Sequence, residues 1–499
     1  MNWRSLIAIL PSLSFLLLSI STEVTTGQEI APKPTLSDRN EQTASQSICP
    51  SQLGTAIEAI TQRPEFARSR WGILVETLST ANRLYSRDAE QYFIPASNVK
   101  LLITAAALRQ LSPQFRIRTS VYGTGTLPNL TSLRVVGRGD PSLTTAQLED
   151  LAQQLKRRGV RQVEHLIVDN SYFRQAEINP TWEWEDIQYN YATSTNSLIL
   201  NQNTVTLTLS PQQSGQPLQL NWNDTIAAKQ WRVENQSVTA TAGTENSVTL
   251  MGVLGQPLLK IKGQLAADAQ PDSWDLAILN PAQYFLDSFR QSLLSEGITV
   301  TQASIIDNFS VMESMQELAA IESPSLAELV KETNQQSNNL YAEVLLRILE
   351  TEGDRTANPD DGLAVLKQRL TELGINPEGY HLMDGAGLSR HNLVSPDAIA
   401  QTLQRMAQTP QATIYRASLP VAGVSGTLEN RFRNTAVQSH LQAKTGTLTG
   451  VSALSGYLDV PAYQPLVLSI IVNQSEQSIA TLRQGIDEIV LLLPRLRSC

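Results

Sequence analysis

The hydrophobic positions of this chain follow two periods, and the period changes along the sequence. Apolar residues at helical spacing over 53–62 are followed by a strand-like apolar run over 71–78. Residues 101–108 are rich in leucine and alanine and contain no glycine or proline, which predicts a buried helix. Pro95 and Ser97 precede this segment and are typical of a helix start.

The period of two dominates the middle of the chain, and the helical period returns near the C-terminal end. Between 119 and 311, short strands and turns alternate with two predicted helices at 145–158 and 281–296. The later predicted elements are the helices 325–334, 338–349 and 396–406, the antiparallel strands 441–447, 452–460 and 465–472, and the amphipathic helix 475–495.

Length and charge narrow the class of protein. With 499 residues, the chain is long enough for two or three domains, and its 41% hydrophobic and 17% charged residues are ordinary for a folded protein. The formal net charge of -9 and the lack of a basic face argue against nucleic acid as a partner.

The N-terminal residues indicate export from the cytoplasm. Arg4 provides a positive charge, residues 5–20 are apolar, and Glu23 ends the apolar run, so 1–27 has the form of a signal peptide. The alternative is an uncleaved N-terminal anchor that associates the protein with a membrane. Residues 28–48 are polar and free of aromatic side chains, which is typical of a disordered linker.

Two cysteines stand at opposite ends of the predicted folded region. In an exported protein, the even pair Cys49 and Cys499 favours one disulfide, with free thiols as the alternative. The two cysteines and four scattered histidines show no zinc-binding spacing, so we expect neither a metal nor a cofactor.

A candidate nucleophile and base lie within one helical turn of each other. Ser97 is at the predicted helix start, and Lys100 follows three residues later on the same face. Alone, this spacing arises by chance about once or twice in a chain of ordinary composition, and it then means a capped helix with a surface lysine. The apolar run after Lys100 favours burial of the amine instead.

Two further motifs follow in order and change the meaning of the first. Ser337-x-Asn339 lies between two predicted helices, and Lys444-Thr445-Gly446 lies on a predicted strand. Together with Ser97-x-x-Lys100, the set resembles that of the active-site serine penicillin-recognising enzymes. The resemblance implies acyl transfer on D-alanyl-D-alanine peptides and on β-lactams.

The resemblance assigns a role to each motif residue. Ser97 is the nucleophile, and Lys100 is its base, which must be a neutral amine. We expect partial burial and the nearby charge of Lys444 to lower the pKa of Lys100. Ser337 would pass the proton to the leaving amine, and Asn339 would orient Lys100 and hold the substrate amide.

The third motif is expected to bind the substrate backbone. The backbone amides of Ser97 and Thr447 would form the oxyanion hole. Gly446 would allow close approach of the substrate. Thr445 and Thr447 would bind the terminal carboxylate beside Lys444.

Three accessory segments narrow the resemblance to one family. The segments 139–143, 384–390 and 422–428 are similar to signatures of the class C low-molecular-mass penicillin-binding proteins. Members are periplasmic D-alanyl-D-alanine carboxypeptidases and endopeptidases that act on peptidoglycan peptides. The resemblance implies an α+β multidomain fold, in which a penicillin-binding domain has an antiparallel sheet flanked by helices.

The same resemblance implies domain boundaries and a specificity pocket. The penicillin-binding domain would comprise 49–118 and 312–499, and two β-rich inserted domains would comprise 119–143 with 210–311, and 144–209. The pocket for the free end of a diaminopimelate side chain would be lined by Trp182, Asp186, Tyr191, Arg390, Leu448 and Thr449. Glu185 and Tyr189 compete with Asp186 and Tyr191 for those positions.

Two other functions remain open on the sequence alone. A β-lactamase would share the acylation step but release the acyl group quickly, and the long insertion disfavours it. A catalytically silent cell-wall-binding scaffold need not keep Ser97, Lys100, Asn339 and Lys444 together. We therefore predict a serine-type D-alanyl-D-alanine carboxypeptidase and endopeptidase that is acylated by penicillin.

Overall fold

The computed structural model describes residues 47–308, 315–352 and 362–499. The predicted signal peptide and nearly all of the predicted linker lie outside the described residues. Within these ranges, none of the helices is both long and apolar enough to cross a membrane.

Helices and strands both contribute to the described chain, largely where the hydrophobic pattern predicts them. The helices are α1 (Pro50–Thr61), α2 (Val99–Gln110), α3 (Thr145–Arg157), α4 (Thr225–Ala228), α5 (Pro281–Ser295), α6 (Leu326–Gln335), α7 (Asn339–Thr351), α8 (Gly362–Glu372), α9 (Pro396–Met406), α10 (Ala412–Ala417) and α11 (Ile479–Leu492). The strands are β1 (Arg70–Thr77), β2 (Arg83–Arg87), β3 (Arg118–Thr126), β4 (Asn129–Val136), β5 (Gln162–Asp169), β6 (Thr204–Ser210), β7 (Gln219–Trp222), β8 (Arg232–Ala240), β9 (Thr249–Gly252), β10 (Leu258–Ala266), β11 (Asp272–Ala277), β12 (Thr299–Ile306), β13 (Gln316–Glu322), β14 (Tyr380–His381), β15 (Leu393–Val394), β16 (Leu441–Leu448), β17 (Val451–Leu458) and β18 (Leu466–Asn473).

One antiparallel sheet joins the two ends of the chain. Its strand order is β16-β17-β18-β1-β2, so the first hairpin extends the three C-terminal strands. Strands β17 and β18 are buried along their whole length. A strand buried on both faces needs a covering layer on each side, which explains why these strands are nearly continuous apolar runs.

Helix α2 is the central helix of this domain. Every residue from Val99 to Leu108 is buried, and a helix that is apolar all round packs on all sides. It packs on one face of the sheet among residues of α6–α9. Helices α1 and α11 cover the other face. Helix α2 therefore contacts helices and strands from both ends of the chain.

The region between the two halves contains three further sheets around one continuous apolar core. Their strand orders are β12-β5-β4-β3-β13, β8-β10-β9 and β11-β6-β7. Strand β5 pairs in parallel with both β4 and β12, although the predicted boundaries place it in a different inserted domain. Strand β13, predicted to belong to the penicillin-binding domain, pairs with β3. The division into two inserted domains stays a prediction.

A disulfide joins Cys49 to Cys499 across a sequence separation of 450 residues. The adjacent residues Ile48 and Leu496 form a β-bridge, which brings the two cysteines together. The structure thus confirms the predicted pairing. Because α1 and α11 lie on the sheet face opposite α2, the bond is on the other side of the sheet from Ser97.

Replacing both cysteines with serine should lower stability and leave the chemistry intact. The bond closes a very long loop, so its loss should cost about 2–5 kcal/mol of unfolding free energy. Thermal unfolding without reductant should show a lower midpoint for the double variant, while covalent labelling of the folded protein by penicillin keeps its rate. An unchanged midpoint would contradict the expectation.

Candidate active site

The candidate nucleophile lies on a short strained turn that leads into α2. A 3-10 turn over Ala96–Asn98 continues directly into the helix, and Ala96 has a φ of 48°. A non-glycine residue in this left-handed region costs about 1–3 kcal/mol, so the surrounding contacts must hold it. The turn places Ser97 Oγ 3.0 Å from Lys100 Nζ. Ser97 is partly accessible, whereas Lys100 is fully buried.

Lys100 contacts three oxygen atoms. Besides Ser97 Oγ, its amine donates to Asn339 Oδ1 at 2.7 Å and to the carbonyl oxygen of Ala386. The latter two oxygens can only accept hydrogen bonds. A neutral amine has two hydrogens, and with both donated to these oxygens its lone pair faces the Ser97 hydroxyl. This is the arrangement that a base needs.

The environment of Lys100 favours the neutral amine. Burial lowers its pKa to about 7, although the nearby carboxylates of Asp384 and Glu343 oppose this shift. The expected cause needs correction: complete burial, rather than partial burial beside Lys444, is the main one. The pKa of Lys444 is itself lowered well below its usual value, first by burial and then by the charge of Lys100.

The other two motifs meet at the same place. Ser337 lies between α6 and α7 with a φ of 58°. Its hydroxyl accepts a hydrogen bond from Lys444 Nζ at 2.8 Å, and the same amine donates to the Thr445 carbonyl at 2.9 Å. Asn339, which contacts Lys100, donates its amide to the carbonyl of Tyr191 at 2.7 Å. The five predicted catalytic residues therefore form two neighbouring hydrogen-bonded sets, Ser97–Lys100–Asn339 and Ser337–Lys444. The charge of Lys100 lowers the pKa of Lys444, which shows that the two sets lie close together.

Strand β16 is the edge strand beside this group. A side chain at Gly446 would meet the Pro95 carbonyl, with its Cβ 2.8 Å from that oxygen, so the glycine lets β16 approach the turn before Ser97. The close neighbour of Gly446 is thus the protein's own backbone. The expected role of Gly446 toward a substrate stays a prediction.

Two threonines of β16 share the face opposite Lys444. Thr445 Oγ1 donates to Thr427 Oγ1 at 2.8 Å. Thr447 Oγ1 accepts a hydrogen bond from Arg483 Nη2 of α11 at 3.2 Å. Among the described residues, no carboxylate lies within ion-pair distance of Arg483. This guanidinium therefore leaves positive charge at the open edge of β16.

The glycine-rich loop after β14 is held by Asp384, which is completely buried. Its carboxylate accepts from the backbone amides of Gly387 at 2.7 Å and Ser389 at 2.6 Å. It also accepts from the indole N–H of Trp182 at 2.9 Å. Trp182 is 9% exposed, so it supports this loop from the inserted region, while the neighbouring Trp184 is 51% exposed.

The predicted specificity residues lie together at one edge of the site. Leu448, Trp182 and Tyr191 belong to one apolar cluster. Arg390 donates to the Thr449 carbonyl at 2.9 Å.

The acidic residues of this edge divide between two partners. Tyr191 donates its hydroxyl hydrogen to Asp186 Oδ1 at 2.8 Å. This contact favours Asp186 over Glu185 as the acidic residue of the predicted pocket. Arg390 forms an ion pair with Glu183 at 3.1 Å, a residue that the sequence pattern did not single out.

Sequence reasoning missed three charged residues that the structure places here. Besides Glu183, these are Glu343 and Arg483. Glu343 comes four residues after Asn339, which puts both on one face of α7, and this spacing was an available signal. Arg483 lies on a helix far along the chain, and no local pattern connects it with β16.

Comparison with known proteins identifies relatives over most of the chain. The family model for the D-Ala-D-Ala carboxypeptidase 3 (S13) family matches residues 53–494. A D-alanyl-D-alanine carboxypeptidase of Actinomadura sp. is 33% identical over 440 residues, which cover 85% of this chain and 81% of the relative. The D-alanyl-D-alanine carboxypeptidase DacB of Haemophilus influenzae is 26% identical over 82% of this chain and 86% of the relative.

Solved structures share the fold. Penicillin binding protein 4 from Haemophilus influenzae superposes with a TM-score of 0.78 at 24% identity, covering 88% of this chain and 99% of that one. A predatory peptidoglycan endopeptidase from Bdellovibrio bacteriovorus superposes with a TM-score of 0.50 at 14% identity, covering 85% and 92%. The chain belongs to the D-Ala-D-Ala carboxypeptidase 3 (S13) family, which confirms the class of enzyme and the penicillin-recognising fold that its three motifs predict.

Proposed function

We propose that this chain is a serine-type D-alanyl-D-alanine carboxypeptidase and endopeptidase that acts on peptidoglycan stem peptides and cross-links through an acyl-enzyme on Ser97. The observation that carries the proposal is the contact of Ser97 Oγ with the buried amine of Lys100, beside the Lys444–Ser337 hydrogen bond. Family membership and the names of the relatives support the same chemistry.

In the acylation step, the neutral Lys100 amine accepts the Ser97 proton while Oγ attacks the carbonyl carbon of the penultimate D-alanine. The backbone amides of Ser97 and Thr447 stabilise the oxyanion. Ser337 then gives its hydroxyl proton to the leaving amine as the C–N bond breaks. The proton that Lys100 took from Ser97 replaces it, so that both residues return to their starting protonation states. Water attacks the resulting ester, which releases the shortened peptide and restores the Ser97 hydroxyl.

The terminal carboxylate of the substrate binds along the edge of β16. Thr445 and Thr447 offer hydroxyl groups, and Lys444 lies on the other side of the same strand. Arg483 adds an exposed positive charge next to Thr447. In an endopeptidase substrate, the carboxylate at the D-centre of the cross-linking residue occupies the same place.

The other edge of the site selects the side chain of the stem peptide. A free diaminopimelate end carries one ammonium and one carboxylate. The carboxylates of Glu183 and Asp186 suit the ammonium, and Arg390 suits the carboxylate. Leu448 and Tyr191 provide apolar contact for the methylene groups between.

The proposed place of action is the periplasm. Family members are cell-wall enzymes, and the segment 1–27 has the form of a signal peptide. Attachment to the membrane through that segment stays a prediction. The proposed partners are peptidoglycan peptides and β-lactam antibiotics, and the chemistry above requires no cofactor.

Ser97→Ala should abolish covalent labelling by fluorescent penicillin and the release of D-alanine from a pentapeptide. The hydroxyl that forms the ester is absent, while the small change leaves the fold intact. Labelling over time, with digestion of pentapeptide and cross-linked muropeptides, measures both activities.

Ser295→Ala, at an exposed position on α5, is the matched control and should behave as wild type. Rapid loss of label from the wild-type protein would instead indicate a β-lactamase. Absence of label would indicate a silent scaffold.

The rate of penicillin acylation should rise with pH through about 7. Lys100 acts only as the neutral amine, and burial brings its pKa to about 7. Below that pH, the rate should fall about tenfold per pH unit, and above it the rate should level off. Stopped-flow labelling from pH 5.5 to 9 measures this profile, and a flat profile would rule out Lys100 as the titrating base.

Arg483→Met should lower kcat/KM for substrates that carry a free terminal carboxylate. We expect a fall of about tenfold in kcat/KM, mainly through KM, because one charge-assisted hydrogen bond is lost. With the same peptide amidated at its C-terminus, the substitution should change kcat/KM little, because that peptide has no carboxylate for Arg483 to contact. Arg433→Met is the control, since Arg433 is exposed and pairs with Glu429. Equal losses for both peptides would show that Arg483 does not contact the carboxylate.

A further inference from the structure

Glu343 is a buried acidic residue that takes no part in the mechanism above. It lies on α7 one turn after Asn339 and is 5% exposed. Its Oε1 atom accepts hydrogen bonds from the backbone amides of Gly385 and Ala386, both at 2.8 Å. An oxygen that accepts two amide hydrogens carries no proton of its own.

These two hydrogen bonds fix a carbonyl that contacts the base. The Ala386 residue held by Glu343 through its amide presents its carbonyl oxygen to Lys100 Nζ. Two glycines let the loop fit tightly: a Cβ at Gly385 would lie 2.8 Å from the Ala342 carbonyl, and one at Gly387 only 2.0 Å from the Ala96 carbonyl. The loop is therefore closely packed between α7 and the turn that carries Ser97.

The carbonyl matters because of how a neutral amine is oriented. Lys100 has two hydrogens when neutral, and they are donated to Asn339 Oδ1 and Ala386 O. If the Ala386 carbonyl moved away, the amine could turn a hydrogen toward Ser97 Oγ, and its lone pair would no longer face the hydroxyl. Both acceptors depend on the same helix face, since Asn339 and Glu343 are spaced by four residues.

The charges around Glu343 link it to the base and to the inserted region. Burial and the neighbouring Asp384 raise the pKa of Glu343 to about 7, whereas the guanidinium of Arg347 opposes this shift. Arg347, one turn further along α7, donates to the Ala176 carbonyl of the inserted region at 2.6 Å. The negative charge of Glu343 in turn favours the protonated form of Lys100.

We propose that Glu343 is a positioning residue for the Lys100 base: its carboxylate holds the Gly385–Ala386 backbone so that the Ala386 carbonyl orients the Lys100 amine toward Ser97. The inference rests on the proposed acylation of Ser97. Glu343 itself does not contact Ser97. It acts by controlling the orientation of the Lys100 amine, which does contact Ser97.

Two substitutions separate geometry from charge. Glu343→Gln keeps one oxygen able to accept both amide hydrogens, so acylation above pH 8 should stay within about threefold of wild type. Loss of the negative charge should move the midpoint of the pH profile down by about half to one unit. Glu343→Leu removes the acceptor, and acylation should fall about 10–100-fold at every pH.

The control is Glu350→Gln, which removes a carboxylate from the same helix where it accepts from the Gln175 side chain. Its rate and pH midpoint should match wild type. Rates come from stopped-flow labelling with fluorescent penicillin from pH 5.5 to 9, and thermal unfolding reports the fold of each variant.

The outcomes distinguish this inference from the proposed function. If the wild-type protein is not labelled, the proposed function fails. If it is labelled and Glu343→Gln acylates as slowly as Glu343→Leu above pH 8, the inference is wrong, because an accepting oxygen at this position is then not what orients the base. A folded Glu343→Leu variant with the wild-type rate would overturn it as well.

Discussion

The burial of the Lys100 amine is the constraint on which the rest of the site depends. An ammonium group without accessible water is strongly disfavoured, and this desolvation is what makes a lysine able to act as a base near neutral pH. The same burial requires that the polar atom be satisfied by protein oxygens, because an unpaired buried donor costs about 1–3 kcal/mol. Ser97, Asn339 and Ala386 provide them. Catalytic competence and local stability therefore have one cause.

The second lysine shows how a site keeps two cationic side chains close together. Lys444 is also completely buried, and each amine has its own acceptors: Ser337 Oγ and the Thr445 carbonyl for Lys444. Burial and then the charge of Lys100 lower the pKa of Lys444, which disfavours a state in which both amines are charged. Left-handed φ values at Ala96 and Ser337 locate the backbone strain at the residues that carry or precede a reacting hydroxyl.

Sequence patterns predicted the parts of this site that are local or that recur as motifs. The Ser97–Lys100 pair needs only one helical turn, and its burial follows from the apolar run behind it. Arg483 was missed because the packing of α11 against β16 is a tertiary contact without a local signal. The parallel pairing of β5 with both β4 and β12 was missed for the same reason, since strand partners far apart in sequence are set by the whole sheet.

The inserted region contacts the loop and the helix around Lys100 directly, so the proposed side-chain pocket and the proposed base share hydrogen-bond partners. Trp182 binds Asp384, Asn179 donates to the Met383 carbonyl at 2.7 Å, and the Tyr191 carbonyl accepts from Asn339. These contacts join the segment that presents Asp186 to the loop and helix that orient Lys100. Two hydrogen bonds, from Asn339 to the Tyr191 carbonyl and from Lys100 to Asn339, connect the proposed stem-peptide pocket to the proposed base. With the function proposed above, we expect acylation to be sensitive to the side chain in the pocket, because a misplacement of about 1 Å at the base can cost about 10²-fold in rate.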